Sequence, residues 1–193
     1  VYYYSFEDND LDHNWKNDFT MIDVDRAATS RFTYYGTECP ESGGVFAFTI
    51  VYERPNHNGI APISGDAVLM AGTPLSENIT GDNWIISQKL KAGEGAQFDF
   101  WARNLESLQS VLPSAKHKVA VLVSETGNSS TDQFTEVLPL EEIPFLDRAD
   151  WKHYVIDLSA YAGKDIYVAV RDYNATFALQ AFYDDFTFTN FVP

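Results

Sequence analysis

The chain has 193 residues, 45% of them hydrophobic, with 28 acidic against 13 basic side chains and a formal net charge of −15. A surface of that sign repels phosphate backbones and anionic lipid heads, which disfavours nucleic-acid or membrane-surface binding. It suits calcium, and it would equally serve to keep an aromatic-rich exported protein in solution.

No apolar run approaches the roughly 20 residues of a membrane-spanning helix, so membrane insertion is not expected. The single Cys39 has no internal disulfide partner, which leaves the compartment open. With 14 Phe and 11 Tyr the chain favours strands, because aromatic side chains pack well on pleated surfaces. A length of about 200 residues suits one large sandwich, so a single all-β domain over residues 1–193 is expected.

Val1–Phe6 reads as a strand from the first residue, and with no initiator Met or leader pattern the chain looks like a trimmed mature segment. An acidic loop follows at Asp8–Asp12; its spacing is not that of an EF-hand, whose Gly and closing Glu are replaced by His13 and Phe19. Phe19–Val24 is a second strand, ending near Asp23 and Asp25, and residues 26–44 read mostly as loop. Val45–Tyr52 is a strand, Glu53–Ser64 a long exposed loop, and Ser64-Gly65-Asp66 a turn into the strand Ala67–Ala71. Asp82–Ser87 follows, then Ala96–Ala102, where Phe98, Phe100 and Ala102 alternate with Gln97, Asp99 and Trp101. Lys116–Ser124, Phe134–Leu138 and Trp151–Leu158 continue the series, and Ile166–Phe188 holds two closing strands around a turn at Asp172–Ala175. Short strands between turns, with no βαβ alternation and no repeat, predict an antiparallel two-sheet sandwich, most simply a jelly roll.

Asp184 and Asp185 precede Phe186-Thr187-Phe188 in the last strand. Neighbouring strand residues face opposite sides, so only one of the two acids turns inward. A buried carboxylate needs a partner, and basic partners are scarce in this chain. A cation shared among carboxylates is therefore a candidate, and Glu7 reaches it if the first and last strands are neighbours. Asp23 and Asp25 could ligate a second ion or merely close a turn. His13, His57, His117 and His153 lack zinc-ligand spacing, Cys39 sits among acids that raise a thiol's pKa, and no Gly-x-Ser-x-Gly elbow is present. Tyr34, Tyr35, Trp101, Tyr173 and Phe177 could contact a ligand, or could simply pack inside. The sequons at Asn78, Asn128 and Asn174 matter only in a eukaryotic secretory path.

Eight segments, from Phe6-Glu7 through Ser64-Gly65, Asp82–Ser87, Phe98–Ala102, Val119–Ser124, Trp151–Lys164 and Ile166–Arg171 to Tyr183–Phe186, stand in the order of a known pattern. The chain resembles the cleaved-adhesin, or choice-of-anchor J, domains of secreted Bacteroidetes proteins, including the haemagglutinin-adhesin regions of gingipains. The resemblance implies a galactose-binding-like β-sandwich at the bacterial surface or secreted, non-catalytic, with Ca²⁺ held by Glu7 and Asp184 and by Asp66 or a carbonyl near Ser64. The chain departs from the family where the loop after Asp25 lacks an acid and glycine repeat, where Gln88 replaces a common proline, and where residues 26–63 are long. The expected function is adhesion through a glycan or a host or surface protein, with Tyr34, Tyr35, Trp101 and Tyr173 as candidate contacts. A jelly-roll glycan hydrolase, whose acid pair would stand about 5–9 Å apart, and a structural spacer remain alternatives.

Overall fold

The computed structural model describes residues 1–7, 15–29, 33–34, 37–38, 43–53, 60–74, 76, 78–104, 117–144, 150–174 and 180–192. These residues carry β1 (Tyr2–Tyr4), β2 (Phe19–Asp23), β3 (Thr33–Tyr34), β4 (Thr37–Glu38), β5 (Phe48–Tyr52), β6 (Ala67–Ala71) and β7 (Asp82–Ser87). They continue with β8 (Leu90–Asn104), β9 (Lys118–Ser124), β10 (Thr135–Glu142), β11 (Lys152–Asp157), β12 (Asp165–Tyr173) and β13 (Ala181–Val192). All their pairings are antiparallel.

One sheet runs β11-β8-β13-β6-β5, with β1 beside the half of β13 that β6 leaves open. The other runs β10-β9-β12-β7-β2. They join at a corner where Asp165 and Ile166 of β12 pair with Lys91 and Leu90 of β8. The fold is the expected antiparallel β-sandwich, and β1 lies against β13 with Tyr2 opposite Phe188 and Tyr4 opposite Phe186.

The main core fills the space between the sheets. Its centre is a run of aromatic contacts: Phe98 stacks on Phe188 at 4.6 Å, Phe100 on Tyr154 at 5.0 Å, and Phe186 meets Phe98 edge-on at 5.4 Å. Each such buried ring contributes about 1.5–3 kcal/mol from desolvation, which is why alternation in β8 and β13 fixes which face is inside. Outside the first sheet a second apolar cluster gathers Ile60, Val68, Met70, Trp151 and Phe182.

Three sequence expectations change. Strand β8 starts at Leu90, earlier than its alternation suggests, and runs through Gly93. A Cβ on Gly93 would lie 2.8 Å from the Asn190 carbonyl, so the missing side chain is what lets β13 approach there. The Glu53–Ser64 stretch is not simply an exposed loop, although residues 54–59 lie outside the described residues. Ile60 is fully buried, Glu53 Oε2 accepts the Ile60 and Ala61 N–H groups at 3.0 and 2.8 Å, and Trp151 Nε1–H donates to the Ala61 carbonyl at 2.8 Å. Its breakers signalled irregular backbone correctly, but irregular backbone can still pack when side chains satisfy its amides. Residues 26–44 hold more pairing than a loop reading allows, with the β3–β4 ladder and bridges from Ala28 to Val45 and from Thr29 to Pro74.

Candidate functional site

The closing strand changes phase in its middle. Asp184 pairs with Trp101 and Thr187 with Asp99, so Asp185 and Phe186 together oppose one residue of β8. Asp185 adopts a φ of 49°, the left-handed conformation found at β-bulges. The extra residue keeps Tyr183, Phe186 and Phe188 all in the main core. Asp184 is the buried acid and Asp185 the half-exposed one, so one of the two is buried as expected. The buried acid does not face the main core, however. It lies on the side of Phe182, under the segment that runs from Ile60 to Ala67.

Two carboxylates grip that segment. Asp184 Oδ2 accepts the N–H groups of Ile63 at 2.8 Å and Ser64 at 3.4 Å, while its Oδ1 accepts the Asp185 N–H at 2.8 Å. Glu7 Oε1 accepts the N–H groups of Asp66 at 2.8 Å and Ala67 at 2.6 Å. Glu7 arrives because β1 pairs with β13 and the chain then turns at Phe6, whose φ is 62° and whose ring packs edge-on against Phe186 at 5.0 Å. Asp185 Oδ1 completes the group, accepting the Ser64 hydroxyl at 2.5 Å and the Tyr3 hydroxyl at 2.9 Å.

Burial, then the neighbouring Asp185 charge, push the Asp184 carboxyl up to about 8, against the pull of its three N–H donors. Burial, with the Asp185 charge adding to it, pushes the Tyr3 phenol up to about 12, so it stays a hydroxyl donor. Among the described residues, no basic side chain pairs with Glu7, Asp184 or Asp185. Nor are three His, Cys, Asp or Glu side chains assembled there at metal-ligating distance. Asp66 joins Glu7 through its backbone N–H, and its side chain is exposed.

Gly65 sits at the centre of the clasp with φ +58°, and a Cβ there would lie 2.3 Å from Glu7 Oε1. Gly65→Ala should displace Glu7 from two amides and strain the turn. The expected loss is about 2–4 kcal/mol, read as a lower urea midpoint with an unchanged slope.

The remaining candidates are placed apart. Trp101 is half-buried on the outer side of the first sheet, its ring stacked on His153 at 4.2 Å. Tyr173 lies on the second sheet beneath the Arg171 guanidinium, 4.4 Å from its ring centroid. Tyr34 falls in β3, and Tyr35 and Phe177 lie outside the described residues. Asp23 and Asp25 act as turn acceptors: Asp23 takes the Arg26 N–H at 2.9 Å, and Asp25 takes the N–H groups of Ala27 at 2.9 Å and Asp82 at 2.7 Å. Sequence reasoning missed Tyr3 and Asp185 as partners of Ser64. Their meeting depends on the β1–β13 register and the bulge, and only the Ser64-Gly65-Asp66 turn was visible beforehand.

The model of the Cleaved Adhesin Domain family matches residues 2–188. Hemagglutinin A of Porphyromonas gingivalis is 26% identical over 197 residues, covering 94% of this chain. The chain spans only 6–8% of the length of the curated relatives it matches. Among solved structures, the K1 cleaved adhesin domain of Lys-gingipain from P. gingivalis W83 superposes with a TM-score of 0.61 at 21% identity, covering 92% of this chain and 95% of that one. TmCBM61 in complex with β-1,4-galactotriose superposes with a TM-score of 0.54 at 14% identity, covering 89% and 88%. The family model spans nearly the whole chain: the chain belongs to the cleaved adhesin domain family.

Proposed function

We propose that this domain is a non-catalytic adhesion module of a secreted or surface-exposed bacterial protein, binding a glycan or a surface protein, with calcium locking the clasp between its two ends. The observation that carries the reading is the clasp within a cleaved adhesin fold. Its buried Asp184 and neighbouring Glu7 and Asp185 bring negative charge together without a basic partner among the described residues. A cation bound there would take Glu7 and Asp184 as its charged ligands, with Asp66 or backbone carbonyls of the turn adding to them. The ion would supply charge neutralisation and rigidity.

A binding role is supported by the hemagglutinin relative and by the likeness in fold to a carbohydrate-binding module complexed with galactotriose. A non-catalytic role is supported by the adhesin family match, and the clasp acids Glu7, Asp184 and Asp185 hold backbone or hydroxyl groups. No helix among the described residues is long and apolar enough to cross a membrane.

Retention on a glycan array or on immobilised surface proteins, without release of reducing sugar, is the expected result. Reducing-sugar release that stops when one acid pair is mutated would replace this reading with the hydrolase. Retention on neither support would leave the spacer.

A further inference from the structure

We propose that the ligand surface is the open half of the outer face of the β11-β8-β13-β1 layer, and that its occupant is a neutral glycan chain. The inference rests on the binding-module reading and assigns that module its surface and the chemical class of its ligand.

The face follows from register. Phe98, Phe100 and Ala102 point into the core, so Gln97, Asp99 and Trp101 point out. Strand pairing sets His153 beside Trp101, and Val155 beside Asp99. Across the next two strands Thr187 lies beside Asp99 and Tyr3 beside Thr187. One row thus reads Val155–Asp99–Thr187–Tyr3 over three strand spacings, about 14 Å. The next reads Asp157–Gln97–Thr189. That width accommodates an oligosaccharide rather than one sugar. The upper half of the same face is closed by the segment from Ile60 to Ser64, whose Ile60 is buried against Trp151 and Phe182. Trp101 stands at the border, packed against that cluster. The open rows therefore form a ledge with a wall along one side.

The ledge holds a preorganised acceptor. His153 Nε2 lies 2.8 Å from Asp99 Oδ1, and the imidazole is fixed in turn by parallel stacking on the Trp101 ring, with 7° between the planes. Among the described residues, no hydrogen bond engages Asp99 Oδ2. The His153 side chain is 38% exposed and that of Asp99 16%, so the pair is held at the sheet surface while part of it still reaches the ledge. A polyhydroxylated ligand benefits, because an acceptor already held in place costs no ordering on binding.

The chemistry also selects among ligands. Neither row contains Lys or Arg, and the groups offered are carboxylate, amide and hydroxyl beside apolar Val155, which is 53% exposed. A sulfated or uronic-acid chain would meet Asp99 and Asp157 unfavourably on a chain of net charge −15. A ligand rich in neutral hydroxyl donors meets no such penalty. A basic peptide is the competing occupant, and it differs in responding to salt.

The test is calorimetric titration of the chain with β-1,4-galactotriose, mannotriose and xylohexaose at about 0.05 M and about 0.5 M NaCl, beside a lysine-rich peptide. Asp99→Ala and Gln97→Ala remove ledge groups, Thr135→Ala, at an exposed position of β10 on the other sheet, serves as a control, and melting curves confirm that each variant folds. The expected result is binding of at least one oligosaccharide, insensitive to salt, weakened about tenfold or more by Asp99→Ala and unchanged by Thr135→Ala. Glycan binding that survives both ledge variants would overturn the assigned face and leave the binding module standing. Peptide binding that vanishes in high salt, with no glycan bound, would overturn the occupant in favour of a polypeptide. No binding of any probe would overturn the glycan assignment and weaken the binding-module reading with it.

Discussion

Asp172→Ala should lower the unfolding free energy by about 3–5 kcal/mol, a large part of the roughly 5–15 kcal/mol that holds a domain together. Asp172, on β12, is fully buried. The His117 Nδ1, just ahead of β9, lies 2.6 Å from its Oδ1, and the Tyr183 hydroxyl donates to Oδ2 at 2.5 Å from the opposite sheet. The network continues, since the Ile143 N–H donates to the His117 carbonyl at 3.0 Å and Asn104 Nδ2–H donates to the Ile143 carbonyl at 2.6 Å. Removing the carboxylate leaves an imidazole and a phenol in the core without their shared acceptor, and a desolvated polar group is more costly unpaired than absent. Tyr183→Phe should cost less, about 1.5–3 kcal/mol, because it removes one hydrogen bond from the carboxylate while Asp172 keeps His117. Urea unfolding at constant slope distinguishes the two. Equal losses for both variants would mean that the network is not centred on Asp172.

None of that network was visible in the sequence, where His117 counted only as one of four scattered histidines and Asp172 as the start of a turn. The sheets themselves were legible. Alternation in β8 named the inward set Phe98, Phe100 and Ala102 correctly, and β6 and β7 begin and end where the pattern of breakers places them. Alternation is a property of neighbours two residues apart, and it survives in any tertiary setting that buries one face. The clasp was half legible. Two adjacent acids before an aromatic pair required one to be buried, and the expected meeting of the two chain ends brought Glu7 to the same place. What could not be read was the medium through which they meet. Both acids act on the Ile63–Ala67 backbone, and that depends on a bulge at Asp185 and on a segment whose Pro and Gly content suggested exposure. Composition identifies irregular backbone, but whether such backbone packs is decided by distant side chains such as Glu53, Trp151 and Asp184.

In the presence of a chelator, stability should fall as pH rises from about 4 to about 8, and calcium should reverse that fall. The cause is Asp184, whose carboxyl is pushed from an ordinary 3.8 up to about 8, chiefly by burial. Between those values the folded chain keeps a proton on Asp184 that the unfolded chain has released. The unfolded state then binds fewer protons, so stability decreases with rising pH. Below this window both states are protonated and above it both are ionised, so the slope vanishes on either side. The full span is on the order of 6 kcal/mol at most, since one pKa unit corresponds to about 1.4 kcal/mol. A cation coordinates the ionised carboxylate and competes with the proton. The rise in melting temperature on adding calcium should therefore be negligible near pH 4 and largest near pH 8, growing with free ion by mass action. Asp184→Asn, uncharged at every pH, should flatten the chelated profile and abolish the calcium response together. A calcium shift of equal size at both ends of the range would place the ion elsewhere on the chain. A steep profile persisting in Asp184→Asn would assign the titration to a different carboxyl and remove the physical case for a cation between Glu7 and Asp184.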